Sequence, residues 1–183
     1  MAYKNKVIEN PKTGQKIRFI QTGADTGGEL LEMESILRPF STEPKPHYHP
    51  AQREDFLVIS GELHVKLNGE LKVLHAGDTI HIAENVVHSM WNNSNSQTIV
   101  NWKVQPALQT EYLLETTIGL ARDGKTNHEG MPNILQTALL LKKYSNEFRL
   151  AKPAFSVQII LFSILKPVAL IMGLKSVYAK YLD

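Results

Sequence analysis

Residues 46–61 read PHYHPAQREDFLVISG, and residues 77–92 read GDTIHIAENVVHSMWN. In an extended strand, residues i and i+2 point to the same side. His47 and His49 therefore face the same way. A short turn at Pro50-Ala51-Gln52 brings the next strand back alongside, and that strand begins near Glu54. His88 arrives from the second segment on a separate strand. Imidazole and carboxylate donors suit iron, manganese, nickel, zinc or copper. The expected ligands of a divalent transition metal are His47, His49, Glu54 and His88. Four protein donors on an octahedral ion leave two positions for water, dioxygen or a chelating substrate.

The sequence around these segments reads as β over residues 1–108. Short runs rich in Val, Ile and Leu alternate with turn signals. Asn68-Gly69 is the preferred pair for a two-residue hairpin and joins Glu62–Leu67 to Glu70–Leu74. Leu63, Val65 and Leu67 share one face of the first of these strands. Glu62, His64 and Lys66 share the other, which is read as solvated. Further strands are expected at Lys16–Gln21, Leu30–Leu37, Phe56–Ser60, Thr79–Ile82, Val87–Trp91 and Thr98–Val104. Many short strands at this spacing predict a small antiparallel β-barrel. From residue 109 the period changes to that of helices. Thr110–Leu120, Pro132–Tyr144, Pro153–Leu165 and Val168–Tyr178 are the candidates, with Pro167 expected to break the last two apart. The expected division is thus a barrel over 1–108 and a helical extension over 109–183.

The two quoted segments resemble the two signature motifs of the cupin superfamily. In that family the first motif supplies two histidines and a glutamate, and the second supplies a third histidine. His47, His49, Glu54 and His88 fall on those positions, as do Gly61, Gly77 and Asn92. Ala83 and Asn85 stand where the family usually has Pro and Gly. Asn tolerates a left-handed backbone, so the turn survives. Over the whole chain the resemblance is to bacterial cupins with a helical C-terminal extension. It implies a jelly-roll barrel, a bound metal and a small-molecule ligand, without selecting a reaction.

Bulk properties narrow the classes. The chain of 183 residues has 43% hydrophobic and 21% charged residues, a globular balance. Net charge is +2, and the basic residues show no runs, which argues against a nucleic-acid partner. With no cysteine there is no disulfide, thiolate metal site or thiol nucleophile. The N-terminus has no apolar stretch of the secretory kind, and a cytoplasmic location is expected. Residues 154–174 are apolar, but Lys166-Pro167 at their middle speaks against a membrane span, since a central lysine costs about 3 kcal/mol on insertion scales. These helices are expected to cover the barrel or to form a homodimer interface.

Parity along the strands puts Phe56, Val58, Met90 and Asn92 on the side of Glu54 and His88, as candidate substrate-pocket residues. Leu57 and Ile59 on the opposite face call for a cover. His81 is expected at a surface, and His75 and His128 in loops. The expected function is an oxygenase-like metal enzyme acting on a small organic molecule, with Glu54 as ligand or base. A non-catalytic small-molecule-binding module is the alternative.

Overall fold

The computed structural model describes residues 1–182. Eleven strands and three α-helices follow one another along the chain. The strands are β1 (Val7–Glu9), β2 (Lys16–Gln21), β3 (Leu31–Leu37), β4 (His47–Tyr48), β5 (Arg53–Ser60), β6 (Glu62–Leu67), β7 (Glu70–His75), β8 (Thr79–Ile82), β9 (His88–Trp91) and β10 (Thr98–Gln105). Helices α1 (Thr110–Arg122) and α2 (Ile134–Lys143), the short strand β11 (Arg149–Leu150) and helix α3 (Phe155–Ile171) complete the order.

The strands form two antiparallel sheets, ordered β1-β2-β3-β10-β5-β8 and β11-β4-β9-β6-β7. The alternation along β3 is strict, with Leu31, Met33, Ser35 and Leu37 buried and the residues between them half-buried. That is the period of a strand with one face on a core. One apolar cluster joins Leu37, Phe56, Val58 and Val100 of the first sheet to Leu63 and Val65 of the second. The sheets are thus layers of a jelly-roll sandwich, and they do not close into the expected barrel. The chain changes sheets between β7 and β8 at a turn around Gly77 (φ +93°), and no ladder joins those two strands. Gly61 makes another sharp change of direction between β5 and β6. Its φ is +81°, and an added Cβ would lie 2.5 Å from the Gln97 carbonyl, so only glycine fits.

The hairpin at Asn68-Gly69 forms in the expected register, with Leu67 opposite Glu70. His64 departs from expectation, being only 9% exposed. It sits opposite Trp91 in the ladder, with ring centroids 5.6 Å apart, and the indole covers it from water. His81 is exposed and bonded to Asp55, whereas His75 ends β7 instead of lying in a loop.

Helix α1 closes one end of the core. Ile118 joins the cluster of Ile17, Phe19, Leu31, Met33 and Val104. Lys6 pairs with the buried Glu115 at 2.7 Å, and Glu111 accepts from the Gly23 amide at 3.0 Å. Asn133 caps α2 by accepting from the Gln136 amide. Leu139, Leu140 and Leu141 are buried, as their composition demanded.

One expectation about α3 is corrected. The helix runs unbroken through Pro167. Ser163 and Pro167 both face solvent, where water can satisfy the carbonyl freed by the missing N–H. Near its start the helix meets β11, where Gln158 donates to the Leu150 carbonyl at 2.8 Å. It packs on α2 through Phe162 and Leu165, while Ile159, Ile160 and Leu161 stay exposed. Leu57 and Ile59 on β5 are likewise 39% and 48% exposed, so their expected cover is missing within this chain. No helix among the described residues is long and apolar enough to cross a membrane.

Candidate metal centre

The site straddles the two sheets. Strand β4 lies antiparallel to β9 with His47 directly opposite His88. His49 follows just after β4, and the Asn85 amide donates to its carbonyl at 2.9 Å. Asn85 takes the left-handed backbone (φ +63°) that glycine would otherwise supply. Glu54 comes from the facing sheet, on β5 between Ile82 of β8 and Val104 of β10. The three histidines offer ligand atoms all within 4.8 Å of one another. Glu54 Oε2 lies 3.3 Å from His49 Nε2 and 3.1 Å from His88 Nε2.

Hydrogen bonds on the far side of each ring fix what faces inward. His47 Nδ1 meets the Lys45 carbonyl at 3.0 Å, His88 Nδ1 meets the Val86 carbonyl at 2.9 Å, and His49 Nδ1 meets the Glu147 carbonyl. A carbonyl can only accept, so each Nδ1 carries the hydrogen and each Nε2 is left with a lone pair. His49 Nε2, His88 Nε2 and Glu54 Oε2 are buried and have no hydrogen-bond partner. Three buried lone pairs aimed at one another repel unless a cation sits among them. The donor set therefore fits a divalent transition metal.

Without a metal, a proton is the available substitute, and the electrostatics show where it goes. Burial pulls the His49 pKa down, but the facing Glu54 carboxylate outweighs it and holds it above the ordinary value. Burial likewise works against the Glu54 charge, yet His49 and His88 keep its carboxyl well below the usual carboxylate range. His47 is pushed down to about 3, first by burial and then by its neighbours His88 and His49.

Those directions give a pH dependence for chelator-treated protein. The unfolded chain protonates His47 near the ordinary 6.5, whereas the folded chain resists until about 3. Its stabilising contribution is present above pH 6.5 and is lost as pH falls toward 3. His49, raised, contributes fully below 6.5, and the depressed Glu54 loses its contribution only below about 4.5, so neither changes much between. The melting temperature of metal-free protein should therefore drop from pH 6.5 to 5, and a His47→Gln variant should lack that slope. A wild-type melting temperature flat across this window would contradict the assignment.

A cavity of about 240 Å³ opens onto His47, Glu54 and His88. Phe56 and Met90 line it, as parity implied, but two other pocket candidates lie elsewhere. Val58 is fully buried in the core between the sheets. Asn92 is spent on the turn after β9, where its amide donates to the Arg38 carbonyl at 3.0 Å and the Ser96 carbonyl at 2.7 Å. Trp102 was missed. It lines the cavity, stacks on Phe56 at 5.8 Å and donates from Nε1 to Glu54 Oε1 at 2.9 Å. Its parity with Val100 and Val104 on β10 was the available signal. Also missed was the stretch after α2, where Glu147 supplies the acceptor for His49 and Phe148 stacks on His47 at 4.5 Å.

Residues 34–102 match the family model described as the cupin domain. This chain carries a cupin domain. Among solved structures, a predicted oxalate decarboxylase from Thermotoga maritima is 18% identical, with a TM-score of 0.50 over 58% of this cupin and 99% of that chain. An RmlC-like cupin from Shewanella frigidimarina is 23% identical, covering 61% of this chain and 94% of its own, with a TM-score of 0.49. KdgF from a Halomonas species is 15% identical over 57% of this chain and 91% of its own, with a TM-score of 0.48. At such identities the likeness is one of fold. No curated protein matches this cupin.

Proposed function

We propose that this cupin holds one divalent transition metal through His47, His49, Glu54 and His88 and acts as an oxygenase-like enzyme on a small organic molecule. The observation that carries the reading is the set of buried, unpartnered lone pairs on His49, His88 and Glu54. When bound, a divalent metal supplies Lewis acidity, which stabilises an enolate or a similar anion. The protein supplies the rest. Trp102 anchors Glu54 Oε1, so Oε2 is left to face the imidazoles. Phe56, Met90 and Trp102 give the substrate an apolar wall. Arg38 and Lys45, exposed at the rim, attract a negatively charged group. The favoured substrate class is therefore a small, enolisable or aromatic chelator carrying an acidic group. On this reading residues 1–108 carry the ligands, and residues 109–183 brace them.

One observation favours the alternative, a binding module without turnover. Glu43, Glu54 and Glu129 line the cavity, and Glu54 brings an oxygen to 3.1 and 3.3 Å from the His88 and His49 rings. Glu43 is occupied by Lys66 and Ser89, at 2.9 and 2.7 Å. Oxygen uptake and product formation, measured over flavonols, catechols and 1,3-diketones with iron, manganese, nickel, copper or zinc loaded in turn, decide between the two. The enzyme reading expects turnover with at least one metal, and a fall of about 10²-fold or more in Glu54→Gln. Tight ligand binding with no turnover under any metal establishes the module instead.

A further inference from the structure

Helix α3 presents an apolar stripe to solvent. Val157, Ile160, Ile164, Val168 and Ile171 recur at spacings of three and four, opposite the Phe162 side that meets α2. Ile160 and Ile164 are each 63% exposed and Ile171 is 88% exposed. Isolated apolar residues at a surface are ordinary, but a continuous stripe along a whole helix marks an interaction face.

Charge selects the occupant. Residues 131–183 contain seven basic side chains and two acidic ones, Glu147, which is buried, and Asp183, while residues 1–130 contain thirteen basic and sixteen acidic. Lys152 and Lys175 flank the two ends of α3 and are exposed. Lys142 of α2 reaches the flank of α3, donating to Ser163 at 2.9 Å. A second copy docked on this stripe would set lysines against lysines, with seven basic side chains in the segment against two carboxylates. An anionic lipid surface offers both an apolar layer for the stripe and negative headgroups for the lysines. The helix, about 25 Å long at 1.5 Å per residue, is too short to cross a membrane and suited to lying in its plane.

We infer that α3 docks this protein on the surface of an anionic membrane, with the Val157–Ile171 stripe in the acyl boundary and the lysines among the headgroups. The test is co-sedimentation of the full chain with vesicles of pure phosphatidylcholine and with vesicles containing about one third phosphatidylglycerol. The bound fraction should be about tenfold higher on the anionic vesicles and should fall at high salt. An Ile160→Asp/Ile164→Asp variant should lose binding, and so should Lys152→Glu/Lys175→Glu, which leaves the stripe intact. All these positions are exposed, so circular dichroism should be unchanged. Absence of binding to either vesicle, or equal binding to both, overturns the inference. So does light scattering that finds a dimer converted to monomer by Ile160→Asp/Ile164→Asp, which would assign the stripe to a second copy.

Discussion

Replacing His49 with alanine is expected to strip the protein of its metal. Reconstituted wild type should carry about one ion per chain. The variant should bind two to three orders of magnitude more weakly, about the share of one ligand in four from the 10–16 kcal/mol typical of structural zinc. The loss has two parts. One buried lone pair disappears, leaving Glu54 Oε2 facing His88 alone among the imidazoles it contacts. The Glu147 carbonyl also loses the donor that tied the segment after α2 to the site. Elemental analysis after reconstitution and dialysis reads the result. His81→Ala is the control, since that ring is exposed and paired with Asp55, outside the cluster. Wild type without metal, or His49→Ala with a full complement, would refute the ligand assignment.

Ending the chain after Leu108 should cost it a stable fold. Ile118 would no longer cover Phe19 and Met33, and burial of one such side chain contributes about 2 kcal/mol. Lys6 would lose Glu115, and Gly23 its acceptor on Glu111. Gln52, 1% exposed, would lose the Thr110 hydroxyl that both donates to its side chain and accepts from it. Together these losses reach several kcal/mol, against the 5–15 kcal/mol that a whole domain commands. The expected outcome is aggregation, or a melting temperature lower by about 10 °C or more. A truncated chain that stays monodisperse with an unchanged melting temperature would show that the helices are dispensable. The milder Phe148→Ala tests the same dependence without gross damage, and should weaken metal binding while the fold persists.

Features set by short spacings could be read from the sequence. Asn68-Gly69 demands a tight hairpin whatever surrounds it, and the hairpin formed in register. Period-2 alternation placed Phe56 and Met90 toward the cavity. Features set by contacts distant in sequence could not be read. Parity tells which side of a strand a residue is on, but not how far along the sandwich the cavity extends, so Val58 was placed in the pocket and proved to be core. Asn92 has the right parity, yet its amide is used by neighbouring carbonyls. His64 reads as polar-face until Trp91 is laid beside it. Pro167 signals a break only if the freed carbonyl is buried, and here its surroundings are wet. Whether two sheets close into a barrel depends on edge pairing, which no local pattern encodes.

The bond from His49 to the Glu147 carbonyl spans 98 positions. During synthesis both histidine motifs leave the ribosome long before that carbonyl and the Phe148 ring exist. Contacts between such distant parts of a chain form late, because closing the loop costs entropy before any contact rewards it. An unfinished or clipped polypeptide thus displays all four donors without the braces that orient two of them. On the proposed metal reading, tight capture of an ion depends on Glu147 and Phe148 as well as on the two histidine motifs.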